Sequence, residues 1–225
     1  MCGIVGYCGP RQASDVLLGG LARLEYRGYD SAGIAVAGVD GIAVTRRVGK
    51  LVNLAEAVAD APLPGSVGIG HTRWATHGRP NEENAHPHAD CTGAVVVVHN
   101  GIIENYLELR EELAATGHVL RSEADTETVA HLVESYYEGD LAAAVARAVK
   151  RLDGSYALAV MHRNEPTAVV AARKDSPLII GVGEGELIVA SDIPAVLEYT
   201  RDVLVLEDGD VARVTVAGAV VRGSD

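Results

Sequence analysis

The order of short apolar runs along the chain restricts its fold more than any other feature of the sequence. Segments 106–116, 126–138 and 141–152 have helical spacing and lie between two groups of strand-like segments. Because Asp40-Gly41 joins two such strands as a tight hairpin signal, we predict antiparallel pairing. Strands at both ends with paired helices between them are typical of an α+β domain, and a repeating βαβ array would alternate them. The predicted strands are 3–7, 32–39, 42–48, 67–70, 95–99, 156–160, 168–171, 178–182, 187–190, 203–206 and 211–216.

The length and net charge of the chain limit its domain count and the classes of partner it can bind. A chain of 225 residues is long enough for one substantial core, and we expect residues 1–225 to form a single domain. The formal net charge of -12 argues against a nucleic-acid surface, which needs clustered basic residues. The longest aliphatic run, residues 94–98, is too short to cross a membrane. We therefore expect a cytoplasmic protein with a small-molecule partner, no nucleic acid and no membrane.

Cys2 is the cysteine whose position most favours chemistry. The three cysteines, Cys2, Cys8 and Cys91, are odd in number and lack CxxC spacing, which fits neither a disulfide framework nor a zinc knuckle. Removal of Met1 would put a thiol and a free α-amine on one residue. An amine with a pKa of about 7.7 to 8.0 is suited to accept a proton from a thiol of about 8.5. The alternative is that Cys2 is only a small residue at the start of a strand.

Three other positions are candidates for a site that cleaves an amide. Asn100-Gly101 offers a side-chain amide and a backbone N–H to one oxyanion, although Asn-Gly is also a common turn and is expected to end the preceding strand. Arg73, in a predicted polar loop over 71–93, can bind a carboxylate through two hydrogen bonds, or the loop is merely solvated. Asp125 either pairs with a substrate ammonium or caps a helix.

A metal or cofactor is not expected. His86-Pro87-His88 has alternating histidines, but no cysteine or carboxylate cluster of matching spacing completes a ligand set. We predict a polar loop tip there. No glycine-rich phosphate loop follows a strand.

Five segments of the sequence are recognisable together: CGIVG at 2–6, LEYRGYDSAG at 24–33, HTRWATHG at 71–78, NAHPH at 84–88 and VHNGIIEN at 98–105. Together they resemble the class II glutaminase domain of glucosamine-6-phosphate synthase, the isomerising glutamine:fructose-6-phosphate aminotransferase. The resemblance extends in order over essentially the whole chain. One departure is Ala124, where the family commonly has threonine, and the lost hydroxyl is expected to weaken glutamine binding modestly.

The resemblance implies the fold and chemistry of the N-terminal nucleophile hydrolases. The fold would be a four-layer αββα sandwich, with two antiparallel sheets between helical layers. Mature Cys2 would attack the side-chain amide of glutamine, release ammonia and leave a γ-glutamyl thioester that water hydrolyses to glutamate. Asn100 and Gly101 would form the oxyanion hole.

The resemblance also implies how L-glutamine is bound and who receives the ammonia. Arg73 would hold the substrate carboxylate and Asp125 its ammonium. The family's sugar-phosphate isomerase half, which binds fructose-6-phosphate, is expected to be a separate domain or subunit. The remaining implied positions are Thr76 and His77 at the glutamine backbone, Trp74 at an ammonia channel and Arg27 close to the nucleophile.

Two alternatives remain open. The same glutaminase fold serves other acceptors, as in amidophosphoribosyltransferase, asparagine synthetase and glutamate synthase. A chain that retains Met1 would be a silent glutamine-binding module, because its α-amine would be tied up in a peptide bond.

Overall fold

The structure, a computed structural model, describes residues 2–74 and 81–223. In the first half of the chain the elements are β1 (Gly3–Cys8), α1 (Ala13–Arg23), β2 (Ser31–Gly38), β3 (Gly41–Val48), α2 (Leu51–Asp60), β4 (Val67–Arg73), β5 (His88–Ala89) and β6 (Val95–Ile103). The helices α3 (Tyr106–Ala115), α4 (Asp125–Ser135) and α5 (Leu141–Val149) follow. The last strands are β7 (Gly154–His162), β8 (Ala168–Lys174), β9 (Ile179–Val182), β10 (Leu187–Ala190), β11 (Val203–Val205), β12 (Val211–Thr215) and β13 (Gly218–Arg222). Glu25–Arg27 and Ile193–Ala195 are short 3-10 helices.

The strands form two sheets in which neighbouring strands are antiparallel. The first sheet has the order β11-β9-β10-β1-β4-β2-β3, and the second has the order β13-β12-β8-β7-β6-β5. The predicted hairpin joins β2 and β3, where Gly38 pairs with Gly41 and Gly41 has a φ of +121°. Strand β1 therefore lies inside its sheet, between β10 and β4, and not at an edge.

Three apolar layers hold the elements together. Helices α1 and α2 pack on the outer face of the seven-stranded sheet, and α3, α4 and α5 pack on the outer face of the six-stranded sheet. The third layer, between the sheets, contains many small side chains such as Ala157, Ala159 and Ala171. The predicted α+β class and four-layer αββα sandwich are confirmed. Over 2–74 and 81–223, no helix has both the length and the apolar character needed to cross a bilayer.

Two predicted boundaries were wrong, and one strand was missed. Strand β6 does not end at Asn100 but continues through Gly101, because both residues pair with β7, Asn100 with Ala157 and Gly101 with Tyr156. The predicted loop over 71–93 is shorter at both ends, since β4 extends to Arg73 and β5 occupies His88–Ala89. Strand β13 was not predicted, because it is a half-exposed edge strand without a clear alternation of apolar and polar residues.

Gly101 is expected to be required for this continuous strand. Its φ of +126° is a conformation that residues with a side chain rarely adopt, and an added Cβ would overlap the carbonyl oxygen of Ser155 on β7. Backbone strain alone is expected to cost about 1–3 kcal/mol. Gly101→Ala should lower the free energy of unfolding by more than this amount. Urea denaturation measures this difference.

Gly41→Ala is the matched control, because Gly41 has nearly the same φ of +121° but no atom within 4 Å of the added Cβ. In Gly41→Ala the free energy of unfolding should fall only by the amount due to backbone strain. Equal losses in the two variants would contradict the proposed overlap with Ser155.

Candidate active site

The residues predicted from the sequence meet at a cavity of about 320 Å³. The cavity is lined from both sheets, by the start of β1 and the end of β4 on one side and by β6 and the start of α4 on the other. Thr76 and His77 lie outside the described residues. The predicted residues that line the cavity are Cys2, Arg27, Arg73, Trp74, Asn100, Gly101 and Asp125.

The backbone of Trp74 holds the thiol of Cys2 in place. The Trp74 N–H donates to Cys2 Sγ at 3.3 Å, and the Trp74 carbonyl oxygen lies 3.6 Å from the same sulfur. Burial raises the pKa of the Cys2 thiol, although the hydrogen bond from Trp74 opposes this effect. At neutral pH the group is therefore a thiol, and it needs a base before it can act as a strong nucleophile.

Two glycines fix this arrangement by allowing close approach of the backbone. Gly28 follows the 3-10 helix at Glu25–Arg27, and a Cβ there would lie 2.7 Å from the carbonyl carbon of Arg73. A Cβ at Gly3 would lie 2.7 Å from Thr72 Oγ1. Both distances are too short for a side chain, so the segments on either side of Cys2 can be this close only with glycine.

Asn100 brings the second sheet to the thiol. Its Nδ2 donates to the carbonyl oxygen of Cys2 at 3.0 Å, and its Oδ1 lies 3.0 Å from Nε2 of His71. Burial lowers the pKa of His71 to about 3, so its imidazole is neutral. Nε2 also lies 3.0 Å from the carbonyl oxygen of His99 and 3.1 Å from Nδ1 of His86. Because a carbonyl oxygen can only accept, the contact with His99 places the ring proton on Nε2. Because Asn100 Oδ1 faces this proton, the Nδ2 group of the Asn100 amide points away from His71.

Asp125 is the first residue of α4, and its side chain is 15% exposed. Its Oδ2 accepts the N–H of Ile103 at 2.9 Å and lies 3.8 Å from Nδ1 of His99. The start of a helix favours a negative charge. A backbone donor on one side leaves acceptor capacity on the other for a cationic group in the cavity.

The three remaining predicted residues lie on the first sheet's side of the cavity. Arg27 is buried, and its Nη1 donates to the carbonyl oxygen of Ser191 at 3.1 Å and to Asp192 at 2.8 Å. Arg73 is buried at the end of β4. Trp74 is 47% exposed at the rim, and its ring is edge-on to Tyr29 at 5.1 Å between centroids.

A group of buried polar side chains behind Asn100 was not predicted as part of the site. His86 Nε2 and His99 Nδ1 lie 2.9 and 3.0 Å from the hydroxyl of Thr126, and all three line the cavity. The prediction of a polar loop tip at His86-Pro87-His88 was wrong, because both histidines are buried. The frequent histidines of the sequence were the feature that could have indicated this buried polar group. Nothing in the sequence indicated Ile102, Ser155, Ser176 or Pro177, which also line the cavity.

Comparison with known families and proteins agrees with this geometry. The profile of a family described as the glutamine amidotransferase domain matches residues 71–198. The glutamine–fructose-6-phosphate aminotransferase [isomerizing] of Thermus thermophilus is 59% identical over 98% of this chain and 36% of its own length. The enzyme of the same name from Streptomyces coelicolor is 54% identical over 100% of this chain and 37% of its own length. The chain thus spans little more than a third of the curated relatives it matches.

Solved structures extend the comparison to the whole fold. Glutamine phosphoribosylpyrophosphate amidotransferase from B. subtilis superposes with a TM-score of 0.86 at 25% identity, covering 100% of this chain and 49% of that chain. A glutamine aminotransferase class-II domain protein from Silicibacter pomeroyi has a TM-score of 0.69 at 19% identity with full coverage of both chains, which shows the shared fold alone. Taken with the profile match over more than half of its length, these similarities establish that the chain belongs to the glutamine amidotransferase domain family.

Proposed function

We propose that the chain hydrolyses the side-chain amide of L-glutamine to glutamate and ammonia, with Cys2 as the nucleophile after removal of Met1. The observation that carries the proposal is the meeting of the half-buried Cys2 thiol, the Asn100 amide and the Asp125 carboxylate in one cavity. It is supported by membership of the glutamine amidotransferase domain family. We propose further that residues 1–225 act as one glutaminase domain.

The first chemical step needs a base because the thiol is protonated at neutral pH. The freed α-amine of Cys2 takes the thiol proton, and Sγ forms a bond to the amide carbon of glutamine. The oxyanion that develops is stabilised by Asn100 Nδ2 and the N–H of Gly101. As the C–N bond breaks, the α-amine returns the proton to the leaving nitrogen and ammonia departs. Water then adds to the γ-glutamyl thioester, and glutamate leaves as the thiol is restored.

The charged ends of the substrate are matched by two residues on opposite sides of the cavity. The Arg73 guanidinium binds the α-carboxylate and Asp125 binds the α-ammonium, which orients the amide toward Cys2. Thr76 and His77 belong to the same proposed set as ligands of the glutamine backbone. Arg27 supports the nucleophile's surroundings through its contacts with Ser191 and Asp192.

The acceptor of the ammonia is proposed from the relatives. The relatives from Thermus thermophilus and Streptomyces coelicolor are named glutamine–fructose-6-phosphate aminotransferases [isomerizing], and the chain spans only 36% of the first of them. We propose that a separate sugar-phosphate isomerase domain or subunit receives the ammonia for fructose-6-phosphate, with Trp74 at the exit. The phosphoribosyl acceptor is the second candidate, but its support is a structure only 25% identical. A free thiol nucleophile requires a reducing compartment, which favours the cytoplasm.

Intact-mass spectrometry with a diazo-ketone analogue of glutamine tests the proposal. The purified chain should lack Met1 and gain one covalent adduct, and glutamine alone should yield equimolar glutamate and ammonia. A processed chain that gains no adduct and releases no ammonia would refute the glutaminase assignment. Restoration of growth to a glucosamine-requiring strain by this chain together with an isomerase half would identify the acceptor.

Asp125→Asn tests the ammonium site. The amide oxygen keeps an acceptor for the Ile103 N–H, but the negative charge that faces the substrate ammonium is lost. We expect KM for glutamine to rise by at least about tenfold, since hydrogen bonds to charged groups contribute about 1.5–3 kcal/mol. The rate of γ-glutamyl thioester formation at saturating glutamine should change less. An unchanged KM would remove Asp125 from the binding set.

A further inference from the structure

A second cluster of reactive side chains lies outside the set of residues that line the cavity. Cys91 lies in the turn after β5, His118 follows α3, and His131 lies on α4. One potential metal-ligand atom from each of these residues lies within 4.8 Å of the other two. The three residues come from separate segments, so only the folded chain brings them together. We call them the Cys91 cluster.

The two histidines approach each other as ligands of one ion would. Their Nδ1 atoms are 3.1 Å apart, and the rings are nearly perpendicular at 89°. Zinc–nitrogen bonds of about 2.0–2.1 Å in a tetrahedron place two ligand nitrogens roughly 3.3 Å apart. The spacing of the two imidazoles therefore already matches a zinc site to a few tenths of an ångström.

The surroundings of the histidines also fit a metal. His131 is fully buried, and its Nε2 makes no hydrogen bond within the described part of the chain, although it faces Oε1 of Glu127 at 3.9 Å. Backbone N–H groups of Arg121 and Ser122 hold the Glu127 carboxylate at 2.8 and 2.7 Å. A proton on Nε2 would point at this carboxylate and leave Nδ1 for an ion, as in carboxylate–histidine–zinc arrangements.

The other ligands have the freedom to complete the site. Cys91 is exposed in a turn that the Asp90 carboxylate fixes through the N–H groups of Thr92 and Val95, so a rotation of its side chain is enough to move the sulfur. Glu134, one turn after His131 on α4, places Oε2 3.6 Å from His118 Nδ1 and can supply a fourth ligand. A thiolate with two imidazoles is a donor set that selects zinc.

We propose that the Cys91 cluster is a zinc-binding site, with Cys91, His118 and His131 as ligands and Glu134 as the fourth. The ion would link the β5–β6 turn and the α3–α4 connection to α4, the helix whose first residue is Asp125. The sequence predicted no metal because no local spacing of cysteines and histidines matches a known ligand pattern. The cluster is separate from the cavity, and the proposal does not depend on the glutaminase chemistry.

The test uses Co²⁺ as a spectroscopic substitute for zinc in the Cys2→Ser chain, which removes the half-buried thiol of the cavity that would also bind metal. Cys8 is fully buried and does not compete. We expect one Co²⁺ per chain, with a thiolate-to-cobalt charge-transfer band that Zn²⁺ abolishes by displacement. Zn²⁺ should also raise Tm. Protection of Cys91 from a thiol-modifying reagent by stoichiometric Zn²⁺ gives an independent readout.

Two further variants decide the ligands. Cys2→Ser/Cys91→Ser should lose the charge-transfer band and bind Co²⁺ at least about tenfold more weakly. Cys2→Ser/His118→Gln should keep the fold by circular dichroism and lose affinity to a similar extent. Failure of the Cys2→Ser chain to bind stoichiometric Co²⁺ or Zn²⁺ would overturn the proposal, as would a double variant at Cys91 that binds with unchanged affinity and spectrum.

Discussion

Cys2→Ala is expected to lower kcat for glutamine hydrolysis by at least about 10⁴-fold, the scale of effect seen when the nucleophile of a hydrolase is removed. The oxyanion donors and the charge clamp would remain, but no atom could form the thioester. Measurement requires a discontinuous assay of glutamate release at saturating glutamine. Because the serine hydroxyl is a much weaker nucleophile than a thiolate, Cys2→Ser should be nearly as inactive.

Binding of glutamine separates loss of chemistry from loss of fold. Arg73 and Asp125 are unchanged in Cys2→Ala, so its Kd for glutamine, measured by calorimetry, should stay within a few-fold of the active chain's KM. A Cys2→Ala chain that still forms glutamate at more than about 1% of the original rate would show that another group attacks the amide.

Asn100→Ala is expected to lower kcat by about 10²–10³-fold with little change in KM, because a donor to the oxyanion acts mainly in the transition state. The amide is held ready before substrate arrives, with Nδ2 on the Cys2 carbonyl and Oδ1 on His71. The measurement is steady-state kinetics of ammonia release. Asn105→Ala is the matched control, since Asn105 binds the backbone of Arg151 and Asp153 outside the cavity.

The expected pattern for the control is unchanged kcat with a small loss of stability. A loss of less than about tenfold in kcat for Asn100→Ala would show that the N–H of Gly101 and solvent suffice for the oxyanion. A rise in KM with unchanged kcat would instead assign Asn100 to ground-state binding.

The apolar pattern predicted most of the fold, and its failures have physical causes. Asn-Gly usually breaks a strand, but nine residues of β6 pair with β7, and this long-range pairing outweighs the local preference for a turn. The same pairing holds Gly101 at a φ that only glycine tolerates. Strand β13 lies at a sheet edge, where side chains on both faces reach solvent and the sequence needs no alternation.

The site residues were found through the resemblance of whole segments. Taken singly, each candidate residue also fitted a structural role such as a turn or a helix cap. Asp125, for example, does begin a helix, yet its carboxylate accepts the N–H of Ile103 on β6 as well as the hydroxyl of Thr126. The contacts of Thr126 with His86 and His99 join a helix, a loop and a strand. Such contacts depend on how the layers stack, and no local pattern in the sequence encodes that stacking.

The alanines between the two sheets limit which core substitutions laboratory evolution can use. Ala157, Ala159 and Ala171 are fully buried there, so methyl groups determine how far apart the sheets lie. Cys2 precedes a strand of one sheet and Asn100 belongs to the other, so their separation follows this spacing. A library selected for heat resistance could replace these alanines with valine or leucine, which would push the two sheets apart. The Cys2 thiol and the Asn100 amide would then be misaligned, and such variants would fold well but turn over glutamine slowly.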